Sequence, residues 1–60
     1  MSPKVYNFRD MGQYAEWLPS HSDEVPEVGE VLIFKFHAEN LCWVKVGNGK
    51  TKVADLPTIE

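Results

Sequence analysis

The fold is decided by two apolar stretches in the middle of the chain, Val31-Leu32-Ile33-Phe34-Lys35-Phe36 and Leu41-Cys42-Trp43-Val44-Lys45-Val46. Both stretches are rich in β-branched and aromatic residues, which favour strands. A polar break of four residues, 37–40, separates them. Within this break, Asn40 is the residue best able to take the left-handed backbone conformation that a tight loop requires. The arrangement predicts a central antiparallel hairpin.

Both faces of the predicted hairpin are apolar. With an even-membered loop, Phe36 lies opposite Leu41 and Phe34 lies opposite Trp43. One face then carries Leu32, Phe34, Phe36, Leu41 and Trp43. The other carries Val31, Ile33, Cys42, Val44 and Val46, interrupted by Lys35.

A hairpin with one solvated face should alternate apolar and polar residues, which this one does not. One explanation is a small closed barrel with a partly apolar exterior. The other is a sheet that packs one face on the chain's own helix and the second face on neighbouring subunits, and we favour it. The residues that we expect at the assembly interface are Phe34, Phe36, Trp43, Val44 and Val46.

Two further elements are predicted before the hairpin. The alternation of polar and apolar residues over 4–8 predicts a short strand. Asp10 as the N-cap and Gln13 three residues later form a capping-box pattern, which predicts a helix over 11–18 that Pro19 ends. Trp17 and Leu18 are expected to pin this helix on the sheet. Residues 19–29 have the composition of a surface connector.

The last part of the chain predicts a turn, a short strand and a closing turn. Gly47, Asn48 and Gly49 allow the positive φ angles of a tight turn. Residues 51–53 favour a short strand, and 54–57 favour a compact turn because Pro57 stops a helix. The predicted fold is thus mainly β, a small α+β domain spanning 1–60: a short N-terminal strand, one short helix, the central hairpin and a final short strand.

Composition argues against several classes of function. The net charge is −3 and the basic residues are scattered, so nucleic acid is a poor partner. The longest apolar stretch, 31–36, is far shorter than the roughly 20 residues that span a bilayer, and no apolar segment of a signal peptide follows Met1. The carboxylates of 16–30 are expected to form a solvated acidic edge. The sequence therefore predicts no membrane insertion.

Three patterns resemble functional motifs and fail on closer inspection. The stretch 47–51 is superficially similar to a phosphate loop, but one residue separates its glycines instead of four. Cys42 lies mid-strand, where a buried core cysteine is expected instead of a nucleophile paired with His21 or His37. Trp17 and Trp43 suggest core or interface more than a sugar-binding platform. We expect no catalytic, cofactor-binding or metal-binding residues, and no enzyme.

The small size of the chain raises the question of what stabilises it. Sixty residues leave a domain marginal, and such domains use disulfides, a metal or oligomerisation. A single cysteine excludes an intrachain disulfide, and the histidines lack metal-ligand spacing. Either the core is unusually efficient or copies of the chain share one, and we favour sharing.

The order of short motifs resembles a known family. The motifs are Ala15-Glu16-Trp17, Val28-Gly29-Glu30, Lys45-Val46-Gly47-Asn48-Gly49-Lys50-Thr51 and Ala54-Asp55-Leu56-Pro57. Together they resemble the N-terminal module of phage tail-fibre proteins related to the major tropism determinant. The chain departs from that pattern in three places: Asn48 stands for the usual aspartate, Val53 stands for the usual tryptophan, and the hairpin loop lacks a glycine.

The resemblance implies a bacteriophage virion protein, typically a homotrimer, that is assembled in the host bacterial cytoplasm. Such a module would anchor a tail fibre, head fibre or capsid decoration to the capsid, baseplate or tail, and so serve host attachment and adhesion. Its expected partners are other copies of itself and another virion protein. The alternative is a monomeric small β-barrel that binds a host protein.

Overall fold

The computed structural model describes residues 3–59 and contains three strands and one helix in the order β1, α1, β2, β3. Their bounds are Lys4–Phe8, Met11–His21, Val31–Phe36 and Leu41–Val46. β1 pairs in parallel with β2, and β2 pairs antiparallel with β3. The parallel pair requires a crossover, which α1 and the connector supply. The prediction of a mainly β, small α+β fold is confirmed.

The hairpin forms with the predicted register. Phe34 is opposite Trp43, and Phe36 is opposite Leu41. The four-residue loop ends at Asn40, whose φ of 52° is left-handed as predicted. The sheet of the described residues is an open one with β2 at its centre, so the closed barrel is wrong.

The core lies between the sheet and α1 and is dominated by aromatic rings. All three phenylalanines, both tryptophans and both tyrosines of the chain belong to it. Phe34 is 0% exposed, and its ring stacks on Tyr6 with centroids 5.1 Å apart. Offset-stacked and edge-to-face ring pairs contribute beyond the apolar area that they bury. The core is therefore dense in aromatic contacts for so short a chain.

The start of the helix agrees with its predicted cap. The Asp10 carboxylate accepts a 3.0 Å hydrogen bond from the Gln13 amide, and this bond holds the pKa of Asp10 below its ordinary value. The Gln13 side-chain oxygen accepts from the Arg9 amide at 2.6 Å. The first bond satisfies an amide that the first helical turn leaves without a partner, and the second ties the residue before the N-cap to that turn.

The predicted end of the helix is wrong, because α1 continues through Pro19 to His21. The His21 ring stacks on Trp17 with centroids 4.3 Å apart, and its Nδ1 lies 2.7 Å from the Glu24 carboxylate. These contacts hold the last turn in helical form. The helix packs on the core through Met11, Tyr14 and Trp17, whereas Leu18 is not among the side chains packed there.

The connector after the helix is held to the C-terminal part of the chain by backbone hydrogen bonds. The Val53 amide donates to the Glu24 carbonyl at 2.8 Å, and the Gly49 amide donates to the Pro26 carbonyl at 3.0 Å. Val53 therefore does not extend a strand, and the predicted final strand over 51–53 is wrong. Instead, Val53 opens the closing turn and buries its side chain in the core.

We expect Pro19→Ala to stabilise the fold. Proline inside a helix costs about 3 kcal/mol relative to alanine. Proline also restricts the unfolded chain, and alanine removes this restriction, which offsets up to about 1 kcal/mol of the gain. The free energy of unfolding should thus rise by about 2 kcal/mol, measured by urea denaturation. An unchanged or lower midpoint would contradict a helix that passes through residue 19.

Candidate functional site

The sheet face opposite α1 is apolar and open. Its side chains form three rows across the strands. The middle row is Val5, Ile33 and Val44. One flanking row is Val31 and Val46, and the other, at the hairpin-loop end, is Asn7, Lys35 and Cys42. Val5 is 48% exposed and Val46 is 37% exposed. We call these residues the open face.

The predicted interface residues divide between the two faces of the sheet. Val44 and Val46 lie on the open face. Phe34 and Phe36 lie on the helix-covered face, where they are 0% and 1% exposed, and Trp43 packs beside them. Burial of Phe34 and Phe36 within the chain corrects the prediction that these two side chains form an interface, whereas Trp43 is partly buried and its place in an interface stays a prediction. The aromatic face became the core because α1 brings Tyr14 and Trp17 onto it.

Cys42 is exposed on the open face, so the prediction of a buried cysteine is wrong. The strand is buried on one face only, and Cys42 points to the other. His37 hydrogen-bonds through Nε2 to the Asn7 side chain at 3.0 Å, and His21 contacts Trp17 and Glu24. Among the described residues, neither histidine hydrogen-bonds to Cys42.

The turn at 47–49 is internally satisfied. The Asn48 side-chain oxygen accepts hydrogen bonds from the amides of Lys50 and Thr51 at 2.9 and 2.8 Å. Gly49 has a φ of 74°, as the turn prediction requires. The amides that a phosphate would need are therefore already bonded to Asn48. The turn is structural and does not form a phosphate loop.

Gly47 is required by close packing. A side chain there would collide with the Glu27 carbonyl oxygen and would lie 2.7 Å from Pro26 Cβ. The Gly47 amide donates to the Glu30 carbonyl at 2.8 Å, and its carbonyl accepts from the Gly29 amide at 3.0 Å. The connector thus lies directly against the backbone that follows β3.

Lys45 is a buried lysine that the sequence analysis did not identify. It is 4% exposed, and its Nζ donates to the Val53 carbonyl at 3.1 Å and lies 5.7 Å from the Phe34 ring centroid. Burial lowers the pKa of Lys45, while the charge of Asp55 acts in the opposite direction. Residues two apart in a strand share a face, so the position of Lys45 two residues after Trp43 was the signal that could have placed it on the buried face. Lys45 ties the closing turn to the sheet.

A groove of about 400 Å³ opens on the helix-covered face of the sheet, near the C-terminal end of α1. Its floor is formed by Tyr6, Trp17, Leu32 and Val53. Its rim carries Lys4, Glu24, Glu27 and Glu30. We call this site the acidic groove. The acidic edge was predicted from the sequence, but the apolar floor beneath it was not.

The two tryptophans do not form a sugar platform. One face of the Trp17 ring is stacked against His21, at 4.3 Å and an interplanar angle of 13°. Trp43 packs edge-on against Phe36 and Tyr14, with centroids 4.8 and 5.6 Å away. Both rings serve the core.

Within residues 3–59, no helix has the length and apolar character needed to cross a bilayer. In the same part of the chain, no three His, Cys, Asp or Glu side chains come together as candidate metal ligands. Comparison of the chain with models of known families, with curated proteins and with solved structures finds no match.

Gly47→Ala should destabilise the fold by about 3 kcal/mol, the upper part of the usual range for overpacking, because the added methyl group meets backbone that cannot move freely. Gly29→Ala is the matched control. Gly29, unlike Gly47, has a positive φ, 84°, but no atom lies within 4 Å of an added Cβ. The control should lose about 1–2 kcal/mol from backbone conformation alone. Equal losses in urea denaturation would show that the connector does not contact Gly47.

Lys45→Met should change how stability depends on pH. The pKa of Lys45 is below 10.5 in the folded chain, whereas 10.5 is its ordinary value in the unfolded chain. Between these two pKa values the unfolded chain binds more protons, so stability rises with pH. The free energy of unfolding of the wild type minus that of Lys45→Met should increase as pH rises towards 10.5. Tyr14, whose pKa burial raises, titrates in both proteins and cancels in this difference. A flat or falling difference would contradict the burial of a charged Lys45.

Proposed function

We propose that this chain is a non-enzymatic structural module of a bacteriophage particle. It associates with copies of itself, as a homotrimer, and joins a fibre or decoration to the capsid or tail. The observation that carries the proposal is the open face, an apolar surface that α1 leaves free. In this proposal the module is assembled in the cytoplasm of the host bacterium and resides in the virion.

The pattern of the open face supports association of copies that run in the same direction. The row of Asn7, Lys35 and Cys42 is polar or small, whereas the rows containing Ile33 and Val31 are apolar. When the copies are related by a rotation axis parallel to the strands, each row of one copy meets the same row of the next copy. Opposed copies would place the polar row of one on an apolar row of the other, which desolvates polar groups without partners. Rotational symmetry of this kind suits the base of a fibre.

The motifs that resemble the phage module also have a physical role in this fold. Lys45 hydrogen-bonds to the closing turn, the connector packs closely against Gly47, and Gly49 adopts a positive φ. Part of the resemblance therefore rests on residues that determine the fold, although other motif residues, such as Glu16 and Val28, are exposed. This supports the assignment to a fibre module, and the role in the virion follows from it as part of the proposal.

The open face is small. Three strands about 4.8 Å apart and about 17–20 Å long give a flat area near 250 Å². Stable interfaces bury about 600–1,000 Å² on each partner. Association through this face alone is therefore expected to depend on concentration, and the docked virion protein would supply further contacts.

A second candidate function is a monomeric binding module that engages a host protein. The accessible surface of the chain is 4074 Å². A compact monomer of this mass exposes about 4,000 Å². The aromatic core is also complete within one chain, which favours the monomer. In this case the open face would bind a different protein.

The test is the solution mass by light scattering after size exclusion over a hundredfold dilution, with Val44→Lys and Val28→Lys as matched variants. Val44 lies on the open face, and Val28 is 77% exposed in the connector. We expect a mass of three 6.9 kDa chains at high concentration for the wild type and Val28→Lys, and one chain for Val44→Lys. A wild type that is monomeric throughout, or a trimer that Val44→Lys leaves intact, would contradict the proposal.

A further inference from the structure

The acidic groove has a charge imbalance along its rim. Glu24, Glu27 and Glu30 face a single lysine, Lys4, whose Nζ is 3.1 Å from the Glu30 carboxylate. Glu24 is bonded to His21. Among the described residues, Glu27 makes no ion pair. Three carboxylates and one ammonium leave the rim negative.

The floor of the acidic groove is suited to the stem of a long side chain. Tyr6 from the sheet and Trp17 from the helix are partly buried and give the floor its accessible aromatic surface, whereas Leu32 and Val53 are each only 3% exposed. Lysine and arginine bury their aliphatic stems on such surfaces while their charged heads stay at a polar rim. A groove with an apolar floor and an acidic rim is complementary to such a side chain in both shape and charge.

The chain's own Lys4 shows that the rim accepts a cation. Its ammonium sits on Glu30 at one end of the groove, with side chains that are 58% and 25% exposed. This contact raises the pKa of Lys4, since Glu30 bonds to and attracts the charged form. The part of the rim nearest Glu27 holds no such cation among residues 3–59.

We propose that the acidic groove binds an arginine-bearing extended segment of a partner protein. The guanidinium lies on Glu27 and Glu24, and the stem of the arginine crosses Trp17 and Tyr6. Arginine is favoured over lysine because its planar head pairs with carboxylates through two parallel bonds. A sugar is a poorer ligand because His21 already covers one face of Trp17.

The proposal does not depend on self-association. The acidic groove involves Tyr6 and Leu32, which point to the helix-covered side of the sheet, whereas the open face is formed by Val5 and Ile33 on the other side. A single copy is sufficient for binding. Failure of the trimer and failure of the groove are therefore separate results.

The experiment is a nitrogen-15 NMR titration of the whole chain with the blocked peptide Gly-Ser-Arg-Ser-Gly and with its citrulline counterpart. Citrulline keeps the shape of arginine and removes its charge. We expect the arginine peptide to shift the Trp17 indole signal and the amides of Glu27 and Val53, and the citrulline peptide to leave them nearly unchanged. Shifts of equal size with both peptides, or shifts elsewhere on the chain only, would overturn the proposal.

Two variants with the same change in charge locate the contact. Glu27→Gln removes the rim carboxylate that has no ion pair, and it should weaken binding of the arginine peptide roughly threefold, as expected for an exposed charge pair. Glu16→Gln removes an exposed carboxylate of the helix that does not line the groove, and it should leave the affinity unchanged. An equal effect of both variants would indicate attraction by net charge alone and would refute a site in the groove.

Discussion

Burial of the aromatic rings on one sheet face beneath a single short helix is the interaction on which the rest of the structure depends. Phe8, Phe34 and Phe36 supply the sheet side, and Tyr14 and Trp17 supply the helix side. A domain of sixty residues buries a smaller share of its surface than a larger one, so it depends strongly on these rings. The parallel pairing of β1 with β2 follows from this burial, because the helix must cross the sheet between them. The second sheet face stays open for the same reason, because the one helix within residues 3–59 already covers the first face.

Local sequence signals predicted much of this fold. They missed the end of the helix and the inward turn at Val53, which depend on contacts formed in the folded chain. Strand periodicity gave the hairpin register, Asn40 gave the loop, and Asp10 gave the helix start, since each depends on near neighbours. The helix continues past Pro19 because His21 stacks on Trp17, and Val53 turns inward because Glu24 accepts its amide. The second contact joins residues far apart in the sequence, whereas Trp17 and His21 have the i, i+4 spacing of helix neighbours, and Pro19 between them outweighed that signal. The same limit explains the interface prediction, because sequence could not tell which apolar face the helix would cover.

The glycine-rich turn, the buried lysine and the closing turn act as one structural unit. Lys45 reaches the Val53 carbonyl, Gly47 lies against the connector, and Asn48 satisfies the amides of its own turn. This unit leaves two surfaces for other molecules, one on each side of the sheet. The open face is apolar and suits copies of the chain, whereas the acidic groove is charged and suits a basic segment. The adapter that we propose between a symmetric fibre and a particle would use these two surfaces of different chemistry.

The rate at which a disulfide reagent modifies Cys42 tests most directly whether the open face is free in one chain and covered on assembly. Cys42 lies in the row of Asn7 and Lys35 and is exposed. At low concentration it should react nearly as fast as in the urea-unfolded chain, and the reaction should slow as concentration rises. A thiol that is protected at the lowest concentration would contradict an open face, and a rate that stays fast at every concentration would contradict assembly through it.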